Sequence, residues 1–219
     1  MVDDLKDYYR RRAASYEAIY QRPDATRLTE QEDLARAIRR HLDDREEVLE
    51  VAAGTGWWTV QAAAVARHVT ATDANPETLD IARLKPLPAS RVSFQTADAY
   101  DLAALGRKFD GALCCCWLSH VRRVDLRRFL DGLHGVLKPG AAVFFADNCY
   151  VPGLGGELLV PEGEADTYKL RALDDGATHR ILKNYFDRDE LLRLFAPQAD
   201  DLLIHIGKHF WWLSYDLAR

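Results

Sequence analysis

The sequence predicts an α/β fold, with one mostly parallel sheet of seven strands and helices on both faces. Over residues 46–147, short apolar segments alternate with segments of helical periodicity, which is the pattern of parallel strands joined by right-handed helical crossovers. Residues 202–206 and 210–215 are apolar segments separated by Gly207 and Lys208, which predicts a closing antiparallel hairpin. Five parallel strands and this hairpin make up the sheet.

The first 28 residues are predicted to form a helical segment that packs against the sheet domain. Pro23 ends this segment, and residues 29–42 follow as a second amphipathic helix. Small or aromatic side chains recur in the segment at steps of three or four residues and so share one helical stripe: Tyr9, Ala13, Tyr16 and Tyr20.

The next stretch predicts a βαβ unit that binds a nucleoside. An apolar strand at residues 48–51 leads into a loop with Gly54 and Gly56, a helix is predicted over residues 57–66, and the following strand ends at Asp73. Glycines let a ligand approach the backbone where a Cβ atom would collide. An acid at the end of the second strand suits the diol of a ribose.

Two common nucleotide-binding loops do not match this stretch. A dinucleotide loop needs a glycine three residues after Gly56, where the chain has Thr59, and the bulky pair Trp57 and Trp58 leaves little room for a pyrophosphate. A Walker loop needs Gly-Lys-Ser or Gly-Lys-Thr, which does not follow. A nucleoside without a pyrophosphate therefore fits better.

The remaining strands of the parallel sheet follow in order. Residues 92–99 are predicted to form a third strand ending at Asp98, and residues 109–116 a buried fourth strand. Residues 137–140 have the pattern of a helix end and a turn, and residues 141–147 that of a fifth strand. The intervening helices are predicted at residues 76–84 and 124–137.

Beyond the fifth strand the pattern changes. Residues 149–168 are rich in glycine and proline and predict an irregular loop. Residues 168–185 contain two short segments around the turn Asp174-Asp175-Gly176, which predicts an extra hairpin. A helix capped by Asp187 and running to about Phe195 leads into the closing hairpin.

Size and composition indicate a single globular domain. The 219 residues include 48% apolar and 29% charged residues, and the formal charge of −5 disfavours a nucleic-acid partner. Because no apolar run approaches a membrane span and the charged first twelve residues lack a signal-peptide core, we expect a cytoplasmic protein without a membrane partner. Both a monomer and a homodimer are compatible with the sequence.

The four cysteines do not form a metal-binding or redox motif. Cys114, Cys115 and Cys116 are consecutive in a predicted strand, so their side chains alternate between its faces. Neither Cys-x-x-Cys nor a Cys/His ligand spacing occurs in the sequence. We therefore predict that the cysteines pack in the core and that there is no metal site.

The glycine loop resembles motif I of class I S-adenosylmethionine (SAM) dependent methyltransferases, whose usual form is an acid, any residue, then Gly-x-Gly-x-Gly. Glu50, Gly54 and Gly56 match this form, and Ala52 replaces the first glycine. The order and spacing of the later strands agree with the family, so the resemblance covers about residues 40–150.

The N-terminal segment points to one branch of this family. Residues 8–16 resemble the ubiquinone and menaquinone methyltransferase-like branch, in which such a segment closes over cofactor and substrate. The resemblance implies a Rossmann-like fold and a single methyltransferase domain over residues 1–219, with residues 1–28 as its lid segment.

The resemblance also implies that the domain binds SAM and releases S-adenosylhomocysteine (SAH). Glu50 would orient the ammonium of the methionine part, Asp73 would hold the ribose hydroxyls, and Asp98 would hold the adenine amino group. The residues that it places against the cofactor are Tyr9, Tyr16, Glu50, Ala52, Ala53, Gly54, Gly56, Asp73, Ala74, Asp98, Ala99 and Cys116.

The methyl acceptor is expected outside the carboxyl ends of the strands, where open α/β sheets bind ligands. Residues 148–186 would supply a loop and hairpin on this substrate side. His120 is the candidate general base, although in this branch a histidine at this place often closes the cofactor pocket, so both roles stay open. The predicted acceptor contacts are Trp117, Ser119, His120, Asp147, Asn148 and Arg171.

The acceptor class follows from motifs that the sequence lacks. The Asn-Pro-Pro-Tyr signature for planar amides and adenine amines is replaced by Cys-Trp-Leu-Ser after the fourth strand, and no basic face or added RNA-binding module is evident. We therefore expect in-line methyl transfer to an oxygen or nitrogen of a small molecule. RNA or protein methylation and SAM binding without catalysis are the alternatives.

Overall fold

The computed structural model describes residues 2–173 and 176–219, with side chains from residue 5 onward. Its strands, in chain order, are β1 (Glu47–Val51), β2 (His68–Asp73), β3 (Val92–Thr96), β4 (Phe109–Cys115), β5 (Leu137–Asn148), β6 (Leu158–Leu159), β7 (Tyr168–Ala172), β8 (Thr178–Leu182), β9 (Ala199–Ile206) and β10 (Phe210–Leu217). Its α-helices are α1 (Val2–Arg12), α2 (Ala25–His41), α3 (Thr59–Ala63), α4 (Pro76–Arg83), α5 (Leu126–Gly135) and α6 (Arg188–Phe195).

The main sheet has the order β3-β2-β1-β4-β5-β10-β9. The first five strands are parallel to one another, and β10 runs antiparallel to both β5 and β9. This arrangement confirms the predicted Rossmann-like fold with its C-terminal antiparallel hairpin. The chain order reverses between β1 and β4, which creates a crevice at the carboxyl ends of these strands.

The two faces of the sheet carry separate apolar cores. Leu34 of α2 and Ala62 of α3 pack on one face, and Phe129 of α5 packs on the other. Cys114 and Cys115 are buried on opposite faces of β4. The alternation of side chains along the strand therefore distributes the cysteines as the sequence predicts.

The starts of α2 and α3 differ from the predicted ones because of local contacts. The second helix starts at Ala25 instead of residue 29, since the Asp24 side chain accepts a hydrogen bond from Arg27 N at 3.0 Å and caps it. The third helix starts at Thr59 because Trp57 and Trp58 form a turn against Tyr20, whose ring stacks on that of Trp57 at 4.5 Å.

The end of β3 and the start of β5 also differ from the predicted ones. The third strand ends at Thr96, and Asp98 accepts a hydrogen bond from Tyr100 N at 2.9 Å in the loop that follows. The predicted turn at residues 137–140 is part of β5, which begins at Leu137 and changes register against β4 near this point. The strand begins this early because Leu137 pairs with Phe109 of β4, before the pairing resumes at Ala142.

The insertion after β5 forms the predicted hairpin of β7 and β8. Its turn at Asp174 and Asp175 lies outside the described residues. The loop expected to be irregular contains β6, which adds a short third strand to the hairpin. Gly156 allows this pairing, because a Cβ atom there would collide with the Leu170 carbonyl oxygen.

The N-terminal segment lies across the crevice. It consists of α1 and a 3₁₀ helix at Ala13–Ile19, so the tyrosine stripe continues although the helix type changes. The rings of Tyr9 and Tyr16 are 5.8 Å apart, and those of Tyr16 and Tyr20 are 6.1 Å apart. Within the described part of the chain, every helix is too short or too polar to cross a membrane.

Candidate functional site

Two adjoining cavities open at the carboxyl ends of the central strands. The larger one, the cleft, has a volume of about 830 Å³ and is lined by Glu50, Gly54 and Asp73 among others. The smaller one, the side cavity, has a volume of about 70 Å³ and lies toward the insertion. Four residues line both cavities and mark where they meet: Tyr9, Tyr16, Cys116 and His120.

The loop after β1 uses the left-handed backbone conformation at three positions. Gly54 and Gly56 have φ angles of +56° and +78°, and Ala52 has a φ of +55°. Ala52 therefore adopts a conformation that favours glycine, at the position where motif I usually has one. A Cβ atom on Gly56 would lie 3.0 Å from the Cβ atom of Ala82, so this glycine also lets the loop pack against α4.

We expect Ala52→Gly to raise the free energy of unfolding by up to about 1 kcal/mol. The left-handed conformation costs alanine roughly 1–2 kcal/mol, and the greater freedom of glycine in the unfolded chain returns about 0.4–1 kcal/mol of this. Urea denaturation measures the change. Ala53→Gly is the control, because Ala53 lacks the positive φ and the substitution should destabilise the protein. Equal destabilisation by both substitutions would contradict the interpretation.

Two acids lie at the strand ends beside this loop. Asp73 accepts hydrogen bonds from Gly54 N at 2.9 Å and from Asn75 N at 2.8 Å, so it holds the loop in place. Glu50 is 1% exposed, and its Oε2 atom has no hydrogen-bond partner among the described residues. Burial raises the pKa of Glu50 to about 8 and also raises that of Asp73.

The other end of the cleft is formed by the loops after β2, β3 and β4. Ala74, Asp98 and Ala99 line it, as the resemblance implies. Trp117, which was predicted to contact the acceptor, lines the cleft instead of the side cavity. The Trp117 ring lies 6.3 Å from the ring of Tyr100, so its position is set by packing beneath this end of the cleft.

At the junction of the cavities, Tyr9 and His120 form a hydrogen-bonded pair. His120 Nδ1 lies 2.6 Å from the Leu182 carbonyl oxygen, and His120 Nε2 lies 2.8 Å from Tyr9 Oη. Because a carbonyl oxygen only accepts, Nδ1 carries the proton and Nε2 accepts from the tyrosine hydroxyl. Burial, followed by the nearby charge of Lys183, lowers the pKa of His120 to about 3. The ring is therefore neutral.

The predicted acceptor contacts divide into two groups. Asn148 and Arg171 line the side cavity, together with His120. Ser119 and Asp147 are fully buried and line neither cavity. Both lie behind the residues that line the side cavity, where Lys183 Nζ binds them. It donates to Ser119 Oγ at 2.7 Å and to Asp147 Oδ1 at 2.9 Å.

Four further basic residues line the side cavity: Arg12, Arg22, Arg27 and Lys183. A signal for Arg27 is visible in the sequence, because it shares a helical stripe with Gln31, Leu34 and Ile38 at steps of four, three and four residues. All four side chains of this stripe are buried. A charged residue on a buried stripe is rare unless it is paired, which points to a ligand or a partner.

Comparisons with known proteins place this site in a family. Residues 48–140 match the model of a methyltransferase domain. The chain is 36% identical over 102 residues to a demethylmenaquinone methyltransferase of Clavibacter sepedonicus, covering 47% of this chain and 41% of the relative. It is 34% identical over 160 residues to a ubiquinone biosynthesis O-methyltransferase of Xanthomonas campestris pv. campestris, covering 71% of this chain and 64% of the relative.

The chain belongs to the class I SAM-dependent methyltransferase family. Its resemblance to the ubiquinone and menaquinone methyltransferase-like branch is thereby confirmed. The chain spans less than two thirds of the length of the curated relatives it matches. Among solved structures, the methyltransferase fold agrees with a DhpI-SAM-HEP complex, at a TM-score of 0.76 and 26% identity, covering 97% of this chain and 96% of that one.

The cofactor of this methyltransferase family fits the residues of the cleft. The partnerless Oε2 atom of Glu50 matches the ammonium of the methionine part, and a Cβ atom on Gly54 would have no neighbour within 4 Å, so the loop leaves open space there. The volume of the cleft lies in the range of small-ligand pockets, roughly 300–1,000 Å³.

Proposed function

We propose that this methyltransferase transfers a methyl group from SAM to an oxygen or nitrogen of a small-molecule acceptor and releases SAH. The observation that carries the proposal is the junction of a cofactor-sized cleft with a much smaller cavity, at Tyr9, Tyr16, Cys116 and His120. A donor in the cleft and an acceptor in the side cavity would meet there. The names of the two curated relatives support the same reaction type.

In this proposal the cleft residues hold the cofactor. Glu50 binds the ammonium of the methionine part, Asp73 binds the ribose hydroxyls and Asp98 the adenine edge. The backbone of the loop from Ala52 to Gly56 faces the methionine part, and Ala74 and Ala99 pack beside the adenine. Bound SAM supplies a methyl group already activated by its sulfonium. The chain then contributes mainly alignment, which is worth roughly 7–11 kcal/mol.

The N-terminal segment, residues 1–28, acts in this proposal as a lid over both cavities. Tyr9 and Tyr16 line the junction, and Glu17 connects the segment to the domain by accepting from Thr55 Oγ1 at 2.8 Å and pairing with Lys85 Nζ at 2.7 Å. Cofactor exchange in this proposal involves opening of the segment, with loss of these contacts.

His120 is proposed to position Tyr9 instead of acting as a base. Its free lone pair accepts from the Tyr9 hydroxyl, and burial keeps its pKa near 3. A group with so low a pKa is a weak proton acceptor near neutral pH. The Tyr9 oxygen is oriented by this bond and still has lone pairs that can accept a hydrogen bond.

Tyr9→Phe and His120→Ala are each expected to lower turnover by about two- to tenfold, the effect of one hydrogen bond. Because both substitutions remove the same bond, the double variant should be no worse than the worse single variant. Steady-state kinetics between about pH 6 and 9 should show no inflection due to His120. A loss of about 10²–10⁴ with His120→Ala alone would indicate a base.

The proposed function is tested by incubating the protein with SAM labelled in its methyl group and a small-molecule metabolite extract. We expect SAH to accumulate and the label to appear in small molecules. Label in protein or RNA would instead support macromolecular methylation. SAM binding without SAH formation, in extracts from several sources, would support a non-catalytic protein.

A further inference from the structure

The side cavity has an uncompensated positive charge. Among the described residues, no aspartate or glutamate lines it. Lys183 is already neutralised by Asp147, whose carboxylate lies 2.9 Å from it. The remaining charge comes from four residues, here called the arginine cluster, for which the described part of the chain shows no ion pair: Arg12, Arg22, Arg27 and Arg171.

Arg27 is the most deeply buried member of the arginine cluster. Its side chain is 5% exposed, and its Nε atom has no hydrogen-bond partner among the described residues. Its guanidinium lies over the ring of Phe210, whose centroid is 4.6 Å from the guanidinium carbon. Burying a guanidinium is costly unless an anion or hydrogen-bond acceptors compensate it. An anionic ligand in the side cavity supplies this compensation.

The arginines also lie close enough to repel one another. Burial, and then the charges of Arg27, Arg12 and Arg171, lower the pKa of Arg22. Gly155, in the loop before β6, leaves room for the Arg171 guanidinium, since a Cβ atom on Gly155 would lie 2.5 Å from the Arg171 Nη1 atom. An anion bound between these side chains would relieve the repulsion, and guanidinium groups suit oxyanions because they donate two parallel hydrogen bonds.

The size of the cavity limits the anion. A volume of about 70 Å³ has room for about five water molecules, since each needs about 10–15 Å³ in this measure. An acid group of four or five heavy atoms, such as a carboxylate on its carbon chain or a phosphoryl group, therefore fills it. Larger parts of the acceptor would have to extend toward the opening.

Among the residues described at the junction, none is suited to deprotonate a neutral acceptor. His120 has a pKa near 3 and accepts from Tyr9, while burial raises the pKa of Cys116 to about 12 and that of Tyr9 well above its usual value. Asp147 is engaged by Lys183 behind the wall. An acceptor that arrives already ionised needs no base.

We propose that the acceptor is a small acid, and that its anionic oxygen itself receives the methyl group. A lone pair of that oxygen forms the new oxygen–carbon bond, and the carbon–sulfur bond breaks with its electron pair left on sulfur, so that no proton is released. The product is a methyl ester with one negative charge fewer than the acid. This inference rests on the methyl transfer proposed above and narrows its acceptor to one chemical class.

Anion binding tests the inference without any turnover. Isothermal titration of the SAH-loaded protein with methylphosphonate and with acetate should show that at least one binds in the micromolar to millimolar range. Arg171→Gln and Arg27→Met should weaken that binding at least tenfold. Arg36→Gln is the matched control, because Arg36 lies on the same helix as Arg27 but pairs with Asp33 at the surface.

Two results would overturn the inference: neither anion binds the wild-type protein, or the cluster variants bind as tightly as the control. Circular dichroism melts check that the variants fold. If Arg27→Met does not fold, Arg171→Gln still tests the inference, because Arg171 is only half-buried. The titrations are repeated without SAH. If SAH does not bind, the proposed function is contradicted. If SAH binds but neither anion does, only the proposal of an acid as the acceptor is contradicted.

The labelled product distinguishes the two kinds of acid. A carboxylate methyl ester releases labelled methanol in mild base, whereas a phosphonate monoester retains its label. Either ester, identified by mass spectrometry, supports the inference. A methylated amine or phenol as the product would overturn it.

Discussion

Glu50→Gln lowers the affinity for SAM by about 10- to 100-fold at pH 8, because a charge-assisted hydrogen bond to the cofactor ammonium becomes a neutral one. Glu50 is the buried acid whose Oε2 atom has no described partner, so the substitution removes charge where little else compensates it. Isothermal titration measures the change. Glu46→Gln, at an exposed position just before the same strand, is the control and should bind SAM as the wild type does.

The same carboxyl predicts how affinity depends on pH. In the free protein its pKa is about 8, so it is protonated at neutral pH, whereas the ammonium favours the carboxylate in the complex. Binding must then release a proton, and affinity should rise by up to about tenfold per pH unit between pH 6 and 7.5. The Gln variant should lose this dependence. A wild-type affinity that is flat over this range would contradict the assignment.

Stability should respond to Glu50→Gln in the opposite direction. Because the folded protein holds a proton on Glu50 up to about pH 8 and the unfolded chain only to about pH 4.5, the wild type loses stability as pH rises between these values. The Gln variant avoids this loss and should be more stable than the wild type at pH 8.5. If the Gln variant binds SAM more weakly but unfolds less readily than the wild type, the loss of affinity arises at the binding site and not from damage to the fold.

Asp73→Ala is expected to lower SAM affinity by about 100-fold or more while the sheet stays folded. The carboxylate accepts hydrogen bonds from Gly54 N and Asn75 N and still has lone pairs for the ribose hydroxyls. Each charge-assisted hydrogen bond to the ribose is worth about 1.5–3 kcal/mol. Calorimetry with SAH measures the loss, and Asp101→Ala, an exposed acid outside the cleft, is the control.

A ligand analogue separates the two roles of Asp73. The 2′,3′-dideoxy analogue of SAH lacks the hydroxyls but needs the same loop. If Asp73 binds the ribose, its substitution should cost more affinity for SAH than for the analogue. Equal losses for both ligands would mean that Asp73 acts only by holding Gly54, and an unchanged affinity for SAH would remove Asp73 from the cofactor site.

The parts of the fold that were predictable depend on local patterns. The glycine loop, the strand-terminal position of Asp73 and the alternation of elements are written in stretches of about thirty residues, so the sheet and the cleft could be anticipated. The start of α3 could not, because it depends on the stacking of Trp57 against Tyr20, which is distant in sequence. The two-residue strand β6 has too few residues to show a period.

The side cavity was harder to predict because it is assembled from distant segments. Arg12 comes from α1, Arg27 from α2 and Arg171 from β7, and none of these segments carries a local motif for anion binding. Ser119 and Asp147 were expected at the acceptor, since they lie close to strand ends. They are instead withdrawn behind the wall by Lys183, which follows β8.

The central claim is that a sulfonium nucleoside occupies the cleft, and a crystal structure of the protein with SAH tests it most directly. We expect density along the cleft, with the ribose within hydrogen-bond distance of Asp73, the amino group beside Glu50 and the sulfur at the junction near Cys116. An empty cleft at saturating SAH, or SAH bound elsewhere on the protein, would contradict it.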